Sequence, residues 1–280
     1  MTGSQGNDLE RLAAGLVGIQ RAWAAFVVNP PPWVHETAAV IRGLSQAAER
    51  AAPKISAALE ALRPFAEAVQ TLERETAKAD LLDAAGWLPH ATSPFHLVDR
   101  TMEVAEVGAV AEAHYRDHWN VVQEALLARV AAHGVDEEAQ VTFREAVQAH
   151  GHGLYRVAPR LLFPELERVV RRELLRREFG GGASLKELFR QMSGLSLSEV
   201  LPDGWVYHAL FGRLAEHLYE DVKSLEQLEK VRSDPVPNRH AAVHGLVTYA
   251  TAQTSLNALI MAEYVLGLVA VLKTLPPENT

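Results

Sequence analysis

Residues 256–272 read LNALIMAEYVLGLVAVL and are the longest apolar run in the chain. A helix that spans a membrane needs ~20 mostly apolar residues, and charged side chains inside it are costly. This run is slightly shorter and carries Glu263 near its middle. We therefore expect a buried core helix that closes a bundle, and no membrane span.

The composition of the 280 residues predicts helices nearly throughout. Hydrophobic residues make up 48% of the chain and aromatic residues only 7%, and Ala, Leu, Glu, Arg and Gln are good helix formers. A chain of this length can bury a sizeable core in one or two domains. The absence of cysteine excludes disulfides, thiolate chemistry and cysteine-based metal sites. The net charge of −8 argues against a broad nucleic-acid surface, so any such contact has to be local.

The beginning of the chain has no feature of a secretory signal. Residues 1–10 contain no basic segment ahead of an apolar run, and Asp8 and Glu10 add negative charge. We therefore expect a cytoplasmic protein that does not associate with a membrane.

Proline and glycine divide the chain into three predicted parts. Residues 1–84 are expected to form an N-terminal helical arm. Residues 85–100 contain a glycine and two prolines among small polar residues, which predicts a linker. Residues 101–280 are expected to form a helical-bundle domain.

Apolar periodicity and helix breakers predict the helices of this last domain. We expect them at about 101–132, 135–150, 154–178, 203–231 and 256–273. Asn238 follows a proline-rich connector and is a natural cap for a short helix through His244, which Gly245 is suited to end. Thr254 or Ser255 is predicted to cap the last helix.

Two histidine pairs stand four residues apart and therefore share one helix face each: His114 with His118, and His240 with His244. Neither pair contains the glutamate of the His-Glu-x-x-His zinc motif. We therefore expect no metal site and no cofactor, with solvated or hydrogen-bonded histidines as the ordinary explanation.

A basic stripe is predicted on the helix expected at 154–178. Such a stripe can hold the phosphates of RNA, and its members are Arg168, Arg171, Arg172 and Arg176. Glutamates also stand four residues before two arginines of this helix, an arrangement that stabilises an exposed helix without any ligand. A solvated helix face is therefore the alternative.

Residues 238–245 read NRHAAVHG and carry the most informative chemistry. Arg239 and His244 are five residues apart, about 140° around a helix, so both can reach a ligand across its N-terminal end. That end favours anions such as phosphate. Arginine supplies a permanent charge and histidine a proton near neutral pH, which together suit phosphodiester chemistry. The alternative is that these residues only cap the helix and interact with its dipole.

This stretch resembles the Arg-x4–6-His signature of the HEPN superfamily, all-α proteins many of which are metal-independent endoribonucleases in toxin and phage-defence systems. It is most similar to bacterial members that read Asn-Arg-His-x-x-x-His-Gly. The resemblance covers about residues 80–273. Its further matching positions are Gly86, Trp87, Leu88, Pro89, Glu145, Ala146, His150, Tyr155, residues 163–167, Tyr249, Thr251, Ser255 and Leu256.

The resemblance implies an all-α, HEPN-like helical bundle and a homodimer in which two motif helices face each other across a cleft. RNA would be cleaved by attack of its 2′-hydroxyl on the adjacent phosphorus, without a metal. His244 would be the general base or acid and Arg239 would stabilise charge on the phosphoryl oxygens. Asn238 would orient the arginine or bind phosphate, and His240 would be a second proton carrier. An antitoxin or regulatory protein is a further partner of such systems. The superfamily also implies an alternative, a catalytically inert module for dimerisation or for binding a nucleotide or protein.

Overall fold

The computed structural model describes residues 76–177, 184–194, 214–215 and 217–275. All of them fall within one compact unit, which is built from Glu73–Leu195 and Leu210–Thr280. The predicted arm, residues 1–84, lies outside the described residues except for its last nine positions. The division into arm, linker and bundle therefore stays a prediction.

The described residues are mostly helical and contain no strand, which confirms the predicted all-α bundle. Residues 76–84 are helical as well. The helices with both ends described are α1 (Val104–Asp117), α2 (Trp119–Ala132), α3 (Glu137–Gly151), α4 (Val157–Val169), α5 (Ser184–Gly194), α6 (Leu225–Ser233), α7 (Arg239–Val243) and α8 (Ala252–Thr274).

Two of the predicted helices are interrupted. The helix expected at 101–132 is divided into α1 and α2 because the backbone leaves the helical region at His118, with φ −116° and ψ 21°. The helix expected at 203–231 is also broken within its described part. Residues 220–223 are not helical, and Ser224 begins α6 with a capping box that it forms with Gln227.

The last helix begins earlier than the sequence predicts. Thr251 is its N-cap and forms a capping box with Thr254, so neither Thr254 nor Ser255 is the cap. Its length and composition would allow it to cross a membrane, but 83% of its most apolar window is buried inside the protein. The prediction of a buried core helix is confirmed.

Helix α8 is the centre of the bundle. It packs against α2, α3 and α4, and α4 in turn packs against α3 and the short helix α7. The largest fully buried side chains around these contacts include Leu126, Phe143, Leu162, Phe163 and Tyr264. Because α8 is covered on all sides, it has no polar face, and its few polar residues need partners inside the protein.

Asn257 of α8 joins two distant segments of the chain. Its side-chain oxygen accepts the Leu88 N–H at 3.0 Å, and its amide donates to the carbonyls of Gly86 at 2.8 Å and Pro235 at 3.0 Å. Gly86 has a φ of +79°, and a Cβ there would collide with the Pro235 ring. The fully buried Asn257 therefore fixes the connector that leads into α7.

Glu263, two turns further along α8, is a fully buried carboxylate with three donors. Its Oε1 atom accepts from Arg129 Nε at 2.9 Å and from His133 Nε2 at 2.7 Å, and its Oε2 atom accepts from His90 Nε2 at 3.2 Å. The Thr92 N–H donates to Nδ1 of His90 at 3.1 Å, so the single ring proton of a neutral His90 is on Nε2.

This network decides which groups are charged in the core. Burial alone would raise the pKa of Glu263, but hydrogen bonds from His133 and His90 and the charge of Arg129 lower it. Burial lowers the pKa of His90 by more than the hydrogen bond to Glu263 raises it. The carboxylate is therefore ionised and His90 neutral at physiological pH, and the charge is balanced by Arg129.

The Glu263→Leu variant should be strongly destabilised, because it leaves the His90 N–H buried without an acceptor and Arg129 without its counter-charge. We expect the free energy of unfolding to fall by roughly 3–5 kcal/mol in a urea titration. Glu124→Leu, at an exposed position of α2, should change it by less than about 0.5 kcal/mol. Equal stability of the two variants would show that the network contributes nothing.

Candidate functional site

Asn238 caps the motif helix α7, as predicted, and its side chain is committed to the fold. The residue is 1% exposed, its Oδ1 atom accepts the Ala241 N–H at 2.9 Å, and its Nδ2 atom donates to the Glu220 carbonyl at 3.0 Å. These bonds satisfy both ends of the amide. Asn238 is therefore almost fully buried with both polar atoms of its side chain bonded, and it positions the motif.

The buried hydroxyl of Tyr249 holds the start of the motif in place. Its hydroxyl accepts the backbone N–H of Asn238 at 3.0 Å and donates to the carbonyl of Val231 at 3.2 Å. Gly245 ends α7 with a φ of +69°, a backbone conformation that favours glycine. Tyr249, which follows α7, is thereby bonded to residues that precede α7, and α7 packs against α4.

Arg239, the first residue of α7, turns towards the body of the bundle. Its Nε atom donates to the carbonyl of Leu218 at 2.8 Å, and its Nη1 atom lies 3.2 Å from Oε1 of Glu167 on α4. The two charged side chains are only 21% and 16% exposed. Arg239 is thus held by a carboxylate rather than presented openly to solvent.

His240 and His244 lie together on the outer side of α7. Their ring centroids are 4.5 Å apart with the planes tilted by 53°, and His244 is exposed. Burial, and then the positive charge of His244, lower the pKa of His240; the negative charge of Asp221 opposes this, and the charge of Arg239 again lowers it. His240 Nδ1 also accepts the Val222 N–H at 3.3 Å.

The convergence of Arg239 and His244 on one anion stays a prediction. Arg239 contacts Glu167, and His244 contacts His240. The positive charges of both Arg239 and His244 lower the pKa of His240. At the start of α7 the Ala241 amide is already bound by the Asn238 side chain, so this N–H group is not available to an anion. The pairing of the two imidazoles follows from their spacing of four, which places them on one helix face.

The four arginines proposed to bind RNA do not form a continuous stripe. A π-helical turn, Val170–Leu174, follows α4 and changes the register between Arg168 and the later members. Arg168 binds Asp136, the cap of α3, at 2.6 and 2.8 Å and also binds Glu165, which together raise its pKa. Arg171 is half-buried and the remaining two are exposed, namely Arg172 and Arg176.

The other histidine pair has a structural explanation. The rings of His114 and His118 stack at 4.9 Å, and both are hydrogen-bonded to carbonyls, those of Thr92 and His114 respectively. Within the part of the chain that the structure describes, no group of three or more potential ligands could hold a metal ion.

The sequence did not predict two further features, the contacts of His150 and a cavity beside the motif. His150 bonds Ser255 Oγ at 2.9 Å and lies 4.2 Å from the Trp119 ring, and burial lowers its pKa to about 4. A cavity of about 560 Å³ lies beside the motif and is lined by residues that flank α7, including Arg232, Asp234 and Thr248. Neither Arg239 nor His244 lines it. Because the signal for both features is long-range packing, the sequence pattern alone could not give them.

Replacing Asn238 by alanine should damage the fold more than removing either histidine of the pair. The variant loses a helix cap and a buried hydrogen bond, and we expect a loss of roughly 1–2 kcal/mol in the free energy of unfolding. His244→Ala, at an exposed position, should cost less than about 0.5 kcal/mol. If Asn238→Ala unfolded at the wild-type urea concentration, the amide would be dispensable for the fold and available to a ligand.

No protein-family model, curated protein or solved structure matches this chain. Support for a function therefore comes from the residues of the motif and their contacts.

Proposed function

We propose that this protein is a metal-independent endoribonuclease of HEPN type. The observation that carries the proposal is the pair of imidazoles, His240 and His244, with ring centroids 4.5 Å apart beside Arg239. Cleavage of RNA by its own 2′-hydroxyl needs one group to accept a proton, one to donate a proton and a cation for the phosphoryl oxygens. These three side chains supply that set.

The positions of the histidines suggest how the roles divide. His240 has a lowered pKa and stays neutral, and its acceptor atom is Nδ1; this atom gives up the 3.3 Å hydrogen bond from the Val222 N–H and takes the proton of the 2′-hydroxyl as the oxygen attacks phosphorus. His244 is exposed and gives its proton to the 5′-oxygen as the P–O5′ bond breaks. The products are a 2′,3′-cyclic phosphate and a free 5′-hydroxyl. Arg239 stabilises the negative charge on the phosphoryl oxygens.

The same proposal includes a homodimer and a cytoplasmic role as a toxin or phage-defence effector, controlled by an antitoxin or regulatory protein. In support, Val243 and Leu246 are 44% and 41% exposed on either side of His244. Apolar side chains at a rim of this kind suit contact with a second motif helix. A cleft between two copies would also exclude water from the histidines.

The inert binding module is the second candidate, and a specific observation favours it. Arg239 contacts Glu167 and the Leu218 carbonyl, Asn238 caps the helix, and His240 accepts the Val222 N–H, so three of the four motif side chains already have structural partners. Side chains that serve only to hold α7 in the bundle would make the same three sets of contacts. The exposed ring of His244, which lies beside His240, is the part that this candidate leaves unexplained.

Incubation of the purified protein with mixed RNA in EDTA separates the two candidates. The nuclease should yield fragments that end in 2′,3′-cyclic phosphate and leave DNA intact. His244→Ala should reduce the rate by roughly 10²–10⁴-fold, the usual contribution of a positioned acid or base, and Arg239→Ala should also abolish cleavage. His152→Ala, at an exposed histidine outside the motif, is the matched control and should cleave like the wild type.

Cleavage that persists in His244→Ala would remove this residue from its role, and cleavage that requires a divalent metal would contradict the mechanism. If neither the wild type nor the His152→Ala control cleaves RNA at any protein concentration that yields dimers, the inert module is the better description.

A further inference from the structure

The contacts of Arg239 place a carboxylate where the proposed reaction needs a phosphate. Two donors of its guanidinium are taken, Nε by the Leu218 carbonyl at 2.8 Å and Nη1 by Glu167 at 3.2 Å. Leu218 is buried, and Glu167 belongs to α4, which packs directly against the motif helix. Both contacts therefore come from fixed parts of the bundle.

A guanidinium binds carboxylates and phosphates with the same planar arrangement of N–H donors. An anion that approaches Arg239 therefore competes with Glu167 for these donors. The pair is mostly shielded from water, so its attraction is less screened than that of a surface ion pair. The negative charge of Glu167 also repels a phosphodiester that comes close to the motif.

We propose that Glu167 is a built-in competitor of phosphate that keeps the Arg239 site closed. Each two-donor edge of the guanidinium, Nε with Nη2 and Nη1 with Nη2, includes one of the two occupied atoms. The phosphodiester of RNA, the anion that the proposed function supplies, therefore has to displace the Glu167 carboxylate before it can bind Arg239 with two N–H groups. The bond from Nε to the Leu218 carbonyl holds the guanidinium in place during this exchange. The site therefore opens by movement of the Glu167 side chain and needs no rearrangement of α7.

This inference rests on the proposed function only in naming RNA as the anion, so its test measures binding without cleavage. The probe is a fluorescent, single-stranded 2′-O-methyl RNA, which carries phosphodiesters but no attacking hydroxyl. Glu167→Gln should bind it about tenfold more tightly than the wild type, the effect expected when a partly buried opposing charge is removed. Glu167→Ala, which leaves no amide oxygen to hold Arg239, should gain at least as much.

Glu165→Gln is the matched control. Glu165 is also on α4, is similarly buried and is also paired with an arginine, but its partner is Arg168. The two Gln variants change the net charge of the protein by the same amount. Because Asp136 still holds Arg168, Glu165→Gln should leave the affinity within about twofold of the wild type. The double variant Glu167→Gln with Arg239→Ala should lose the whole gain.

Circular dichroism of each variant confirms that it is folded before the affinities are compared. The inference is overturned if folded Glu167→Gln and Glu167→Ala bind the probe no more tightly than Glu165→Gln, or if they bind it more weakly. Cleavage of unmodified RNA is scored separately. A gain in affinity without cleavage supports the competitor role of Glu167 and rejects the nuclease. Cleavage without a gain in affinity supports the nuclease and rejects the competitor role.

Discussion

The buried carboxylate of Glu263 is the constraint on which the arrangement of the bundle depends. Helix α8 is apolar around its whole circumference, so it has no polar face that would select which of its sides meets which neighbour. A buried charge admits only the arrangement that satisfies it. Three residues donate hydrogen bonds to this carboxylate: His90 from the segment after residue 84, and Arg129 and His133 from the end of α2. All three reach it only when α8 is rotated so that Glu263 faces them.

A short series of hydrogen bonds connects α8 to the motif helix α7. The Asn257 side chain donates to the carbonyl of Pro235, three residues before the cap of α7, and the Tyr249 hydroxyl accepts the backbone N–H of Asn238. Helix α4 then supplies Glu167 as the partner of Arg239. The two imidazoles then lie side by side, with His240 half-buried and His244 exposed.

The sequence predicted the features that local patterns control. The all-α class followed from composition and periodicity, and the Asn238 cap and the Gly245 end of α7 followed from residue type at a helix boundary. It missed the features that depend on residues far apart in the chain. The partner of Arg239 is 72 positions away in sequence, as its number and that of Glu167 show, and no local spacing signals that contact. The π-helical turn after α4 also has no simple sequence signature, and it removed the predicted alignment of the arginines.

NMR titration of the His240 ring tests its pairing with His244 directly. Burial and the charge of His244 lower its pKa, so the ring should keep its neutral form to a pH below 6.5, the ordinary histidine value. Replacing His244 by glutamine removes one of these causes, so the His240 midpoint should move up towards 6.5. A His240 ring that titrates at 6.5 or above in the wild type, and does not respond to His244→Gln, would contradict the account.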